Sequence, residues 1–136
     1  MTVFVLDSSA VLRFIDKEAG AERVREIFRA CAGGEADVCI SAVQWGEVAG
    51  VLRNRFSAPA QKRILESLMQ LLPGVVPASV ERAVRAAELR IDRKIAYAGA
   101  FALDLAMDSA DHVLVTADYD FKAVADLAQI EFLPVK

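Results

Sequence analysis

Apolar runs along this chain are punctuated by capping and turn residues in a way that reads as strands separated by helices. Val3-Phe4-Val5-Leu6 is a short, mostly β-favouring run, and Asp7-Ser8-Ser9 follows it with side chains that favour a helix N-cap. Val11, Leu12 and Ile15 continue at helical spacing. The stretch from Gly20 to Ala32 repeats that spacing through Val24, Ile27, Phe28 and Cys31 until Gly33-Gly34 stops it. A second strand fits Val38-Cys39-Ile40. Ser41 then caps a helix running to about Phe56, and Pro59 stands near the start of another that reaches Leu72 before Pro73-Gly74. Val75-Val76 makes a brief third strand, and Ser79 opens a helix through Val80, Ala83, Val84, Ala87 and Ile91. A further helix follows with no clear strand between, from about Tyr97 to Met107, its apolar stripe on Ala98, Phe101, Ala102, Leu105 and Ala106. His112 to Val115 reads as a fourth strand, Asp118 to Leu127 as a short helix and Ile130 to Leu133 as a last strand. Strands alternating with helices imply an α/β domain with a parallel sheet covered on both faces.

Composition narrows this picture. The 136 residues, 55% of them apolar, suffice for one core, so a single domain over residues 1–136 is expected. No apolar stretch approaches the roughly 20 residues of a membrane span, and the N-terminus lacks the charge and length pattern of a signal peptide. The expectation is a cytoplasmic protein with no membrane association. Cys31 and Cys39 lack the CxxC spacing of metal sites and read as reduced thiols. A net charge of -3 argues against attraction to nucleic acid through the whole surface. Any such contact must be local.

The acids carry the chemistry. In open parallel sheets, ligands gather beyond the carboxyl ends of the strands, where Asp7 and Asp118 fall, although each is also a good helix cap. Glu47 shares an i, i+4, i+8 line with Val43 and Val51, which places it on or beside an apolar stripe. A carboxylate there is costly unless it is paired, hydrogen-bonded or metal-bound. A salt bridge to Arg53 or Arg55 is the plainer account. Asp104, Asp108 and Asp111 line up at i, i+4, i+7 and read as a solvated face.

Three segments, Val5-Leu6-Asp7-Ser8-Ser9-Ala10, Ser41-Ala42-Val43-Gln44-Trp45-Gly46-Glu47-Val48 and Leu114-Val115-Thr116-Ala117-Asp118-Tyr119-Asp120-Phe121, together resemble a PIN domain of the VapC type. That family comprises toxin ribonucleases of toxin–antitoxin pairs. The resemblance implies a three-layer α/β/α fold with strand order 3-2-1-4-5, so that Asp7 and Asp118 meet. It implies Mg²⁺ or Mn²⁺ held by Asp7, Glu47 and Asp118 as catalytic acids, with Ser8 and Thr116 in support. It also implies RNA as substrate, a VapB-like antitoxin as partner and a homodimer. Hard divalent cations suit carboxylate oxygens, and a metal-activated water makes a side-chain nucleophile unnecessary.

One position departs from the pattern. The family places another Asp in the first turn of the helix beginning near Tyr97, where this chain has Tyr97-Ala98-Gly99-Ala100-Phe101-Ala102. Gly99 leaves three accounts open: a domain that has lost strong nuclease activity, an inactivating change in a toxic protein, or a working site with fewer acids. Asp104 is a poor substitute, being rotated about 140° from Gly99 around the helix. Asp120 can assist Asp118, but reads more readily as a first-turn polar residue. A non-enzymatic PIN scaffold is therefore the second reading. A phosphatase is a third, and it lacks the second aspartate of the Asp-x-Asp motif. His112, Trp45, Phe56 and the basic set Arg13, Lys17, Arg53, Arg55, Arg93 and Lys94 read as structural or surface residues and are left outside the site.

Overall fold

Strands β1 (Val3–Leu6), β2 (Asp37–Ser41), β3 (Gly74–Val76), β4 (His112–Thr116) and β5 (Gln129–Phe132) form one sheet in the computed structural model, which describes residues 1–135. Every neighbouring pair is parallel and the order is β3-β2-β1-β4-β5, as the resemblance implies. The helices are α1 (Ser8–Asp16), α2 (Ala21–Ala32), α3 (Ala42–Arg55), α4 (Ala58–Leu71), α5 (Val80–Arg93) and α6 (Tyr97–Ala106).

Their ends follow local chemistry. The Ser41, Ser57 and Ser79 hydroxyls each accept a backbone N–H, from Val43, Ala60 and Arg82, at 3.2 Å. Lys17 and Lys94 end α1 and α5 in the left-handed region, at φ 54° and 57°. Gly20, at φ 93°, is needed where α2 begins, because a Cβ there would stand 2.8 Å from Leu133 Cβ.

Alternation along each strand splits the core into two layers of packing. Leu6, Val38, Ile40 and Val115 face Val11, Val24, Ile27 and Leu52 from α1, α2 and α3. Val5, Cys39 and Leu114 face the other way, onto Ala102, Leu103 and Ala106 of α6. This makes three layers, and it explains why the strands read as nearly continuous apolar runs. Burial pushes the Cys39 thiol up to about 11, so it stays protonated, and both cysteines are free. No helix among the described residues is long and apolar enough to cross a membrane.

Three sequence expectations need correction. The segment after Asp118 forms only a 3₁₀ turn over Tyr119–Val124 rather than a helix to Leu127; Phe121 and Val124, three apart, are the buried pair, which is the 3₁₀ spacing. The last strand runs one residue earlier than expected, and Leu133 donates to the Thr116 carbonyl just beyond it. Most consequentially, Asp104 is not solvated. It is 4% exposed and bonded to Arg82 at 3.0 Å and Arg85 at 2.6 Å, both on α5. Arg82 also holds Asp108. The helical wheel marked Asp104 as polar but could not show that α5 covers it with guanidinium groups.

Candidate active site

Register brings the first and last acids together. Leu6 pairs with Val115 across β1 and β4, so Asp7 leaves the sheet next to Thr116, and its N–H donates to the Val115 carbonyl at 3.0 Å. β1 lies between β2 and β4, which places this edge at the point where the order of strands reverses.

Asp7 is 4% exposed, and its side chain does not cap α1. Instead Oδ2 accepts the Ser9 hydroxyl at 2.6 Å and the Thr116 hydroxyl at 2.8 Å. Each hydroxyl has one proton, spent on Asp7, and each then accepts a backbone N–H: Ala117 to Ser9 Oγ, Asp118 to Thr116 Oγ1, both at 2.9 Å. The Asp7 carboxyl is nonetheless pushed above the ordinary range. Burial is the main cause and the Asp118 charge adds to it, against the lowering effect of the two hydroxyls.

Asp118 is exposed and does serve as a cap, since Oδ1 accepts the Asp120 N–H at 2.9 Å. Glu47 stands on the exposed rim of α3 rather than facing the core, which correctly belongs to Gln44, Val48 and Leu52 one step around the helix. Its Oε1 accepts the Ser8 hydroxyl at 3.1 Å. Partial burial, and then the charge of Asp7, push the Glu47 carboxyl upward. The alternative of a bridge to Arg53 or Arg55 is not realised among the described residues: Arg55 binds Asp16 and Arg53 donates to the Phe56 carbonyl.

No ion pair among the described residues involves Asp7, Glu47 or Asp118. Three carboxylates without a cationic partner are donors of the type a hard divalent cation takes. Among the described residues, however, no three His, Cys, Asp or Glu side chains are arranged as a complete metal-holding group. The donor set suits an ion that takes one or two carboxylates and keeps water, as Mg²⁺ does.

A cavity of about 270 Å³ is lined by Asp118 together with Lys94, Gly99, Asp120 and Phe121 among others. Gly99 thus shares this cavity with Asp118. A Cβ on Gly99 would stand 3.2 Å from Phe121 Cζ, so the aromatic ring packs into the room a side chain would need. Lys94, left outside the site on sequence grounds, lines this cavity too. His112 sits at the opposite, amino end of β4, its Nδ1 buried without a hydrogen-bond partner among the described residues. Trp45 packs against the core and Phe56 is largely exposed.

Two site residues escaped the sequence reading. Ser9 stands two residues after Asp7 and had been absorbed into the cap motif. Gln44, 1% exposed, joins Ser8 to Ala98: Oε1 accepts the Ser8 N–H at 2.7 Å and Nε2 donates to the Ala98 carbonyl at 2.6 Å. Its signal was a polar residue on the Gln44, Val48, Leu52 stripe.

The family model of the PIN domain matches residues 4–127. The chain belongs to the PIN domain family. Among solved structures, it is similar to VapBC2 from Rickettsia felis bound to a DNA fragment from their promoter, with 14% identity, TM-score 0.74, and 98% of this chain and 100% of that one covered. DNA-bound VapBC from Salmonella typhimurium gives 18% identity, TM-score 0.72 and coverage of 97% and 98%. FitAcB from Neisseria gonorrhoeae gives 21%, 0.67, and 94% and 96%. No match to the chain was found among curated proteins.

Proposed function

We propose that the chain is a divalent-metal-dependent endoribonuclease of the VapC type, the toxin half of a toxin–antitoxin pair. The observation that carries this reading is Asp7, a buried carboxylate at the sheet's switch point with two hydroxyls on one oxygen, other acids nearby and, among the described residues, no cation to neutralise it. A carboxylate left in that condition is costly to the fold, and the cost is explained if the site serves chemistry.

Asp7, Glu47 and Asp118 are the residues to hold Mg²⁺ or Mn²⁺. When bound, the ion supplies an activated water for attack on phosphorus and screens the carboxylates from RNA. Ser9 and Thr116 hold Asp7 Oδ2, and Ser8 holds Glu47. Lys94 at the cavity offers a cation to a phosphate.

The similar structures named VapBC support a VapB-like antitoxin as partner. A shallow apolar hollow of about 260 Å³ lined by Phe14, Ile15, Ile64, Leu68 and Leu71 suits an apolar segment of it. Val80, Val84 and Ile91 lie exposed along α5 and support a homodimer. A cytoplasmic location belongs to the same reading. Gly99, with Phe121 against it, favours the second reading, a PIN scaffold that binds RNA or a partner without cutting.

Incubating the protein with structured RNAs and Mg²⁺ or Mn²⁺ separates the two. Cleavage is expected, with a loss of at least about 100-fold in Asp7→Asn, since removing several kcal/mol of charge stabilisation has that effect. Intact RNA with both ions, in wild type and in Gly99→Asp paired with Phe121→Leu to make room, leaves the scaffold.

A further inference from the structure

We infer that Gln44 is a positioning residue of the acidic site, an uncharged clamp that joins the first turn of α1 to the first turn of α6 and thereby sets Ser8 against Glu47. The inference rests on the metal-site reading above.

Gln44 is 1% exposed, and both ends of its amide are used, on Ser8 N–H and the Ala98 carbonyl. Those partners lie 36 and 54 residues away and flank the two positions that matter most, Asp7 and Gly99. Ser8 is thus held by α3 at two points: its N–H by Gln44, and its hydroxyl by Glu47 one turn further along the same helix. The first turn of α6 has little local support. Its cap residue, Ala96, provides no side-chain bond, and Gly99 is the third helical residue. The bond from Ser8 N–H to Gln44 is a tertiary substitute for the side-chain cap that Asp7 does not give α1, and the bond to the Ala98 carbonyl ties the first turn of α6 to it.

An amide is what this place demands. Ser8 N–H, the first of α1, needs an acceptor, the Ala98 carbonyl offers a second lone pair to a donor, and an amide serves both at once. A glutamate would meet the first need only. It would also add negative charge among Asp7, Glu47 and Asp118. A hydrophobic residue would leave the Ser8 N–H without its partner and untie Ala98 from α3.

The test is Gln44→Met, which keeps length and removes both bonds. Mn²⁺ affinity, measured by calorimetry on the full chain, is expected to weaken about 10-fold or more, the effect of losing an orienting partner of a metal ligand. In a Ser8→Ala background the same substitution is expected to cost less than about twofold, because the hydroxyl it positions is already gone. A glutamine that only filled the core would give equal losses in both backgrounds, or none, and either result overturns the proposal. Amide hydrogen exchange supplies a readout independent of metal. The Ser8 amide, and the Ala100 amide that bonds to Ala96, are expected to exchange faster in Gln44→Met; unchanged exchange overturns the proposal. If wild type binds no Mn²⁺, the metal reading falls, and exchange alone decides the clamp. Should Gln44→Met fail to fold, Gln44→Glu keeps the acceptor and loses the donor. Protection is then expected to persist at Ser8 and fall at Ala100, whereas equal change at both overturns the clamp.

Discussion

Asp7 and Asp104 are each 4% exposed, yet the fold treats them in opposite ways. Asp104, near the end of α6, receives Arg82 and Arg85 from α5, and its charge is matched where it stands. Asp7, beyond the end of β1, receives two neutral hydroxyls, and its charged neighbours are acids. Burial alone therefore says little about what a carboxylate does. The sign of the groups brought to it separates an acid that holds two helices together from one left with charge unspent.

The largest effect that sharpens this contrast is expected from Asp104→Ala. Removing the shared carboxylate takes from Arg85 its partner and leaves Arg82 with Asp108 alone, and stability should fall by about 2 kcal/mol, below the range for breaking a fully buried pair because both arginines keep solvent. Urea unfolding measures it, and a loss below about 1 kcal/mol would erase the distinction between the two acids.

Asp7→Asn should act with the opposite sign, and only above a certain pH. The Asp7 carboxyl is raised in the folded protein, so between the ordinary carboxylate range and its own value the native state keeps a proton that the unfolded chain has released. Stability therefore falls as pH rises through that window and levels off above it. The asparagine variant lacks this loss. Its unfolding midpoint should match wild type near pH 4 and exceed it towards pH 8, without added divalent ions; a wild type that gains stability relative to the variant over that range contradicts the assignment.

The smallest effect lies at Gly99. An alanine gains about 1 kcal/mol of helix propensity but must press Phe121, which is 4% exposed and held in the core. Gly99→Ala is expected to lose less than about 1 kcal/mol in wild type and to become stabilising when combined with Phe121→Leu. Thermal unfolding of the four proteins decides it.

The order of strands and helices was legible because each is announced within a few residues. Ser41 and Ser79 sit where caps belong, Pro59 stands in the first turn of α4, and apolar spacing marks the rest. The placement of Asp7 and Asp118 at strand ends was legible for the same reason. Glu47 was traced to the right helix but to the wrong depth, because a stripe one residue out of phase is hard to tell from the true one. Ser9 was hidden by its second identity as a helix-start residue, and Gln44 by two partners that are distant in sequence.

Local periodicity by itself thus determined the α/β order, the parallel sheet and the two strand ends from which acids emerge, since these depend on neighbours within a turn or a pleat. Tertiary structure alone decided which acids are neutralised. Arg82 reaches Asp104 from 22 residues away, and Thr116 reaches Asp7 from 109. Such pairings depend on strand register and helix docking, which bring together side chains that no local pattern connects.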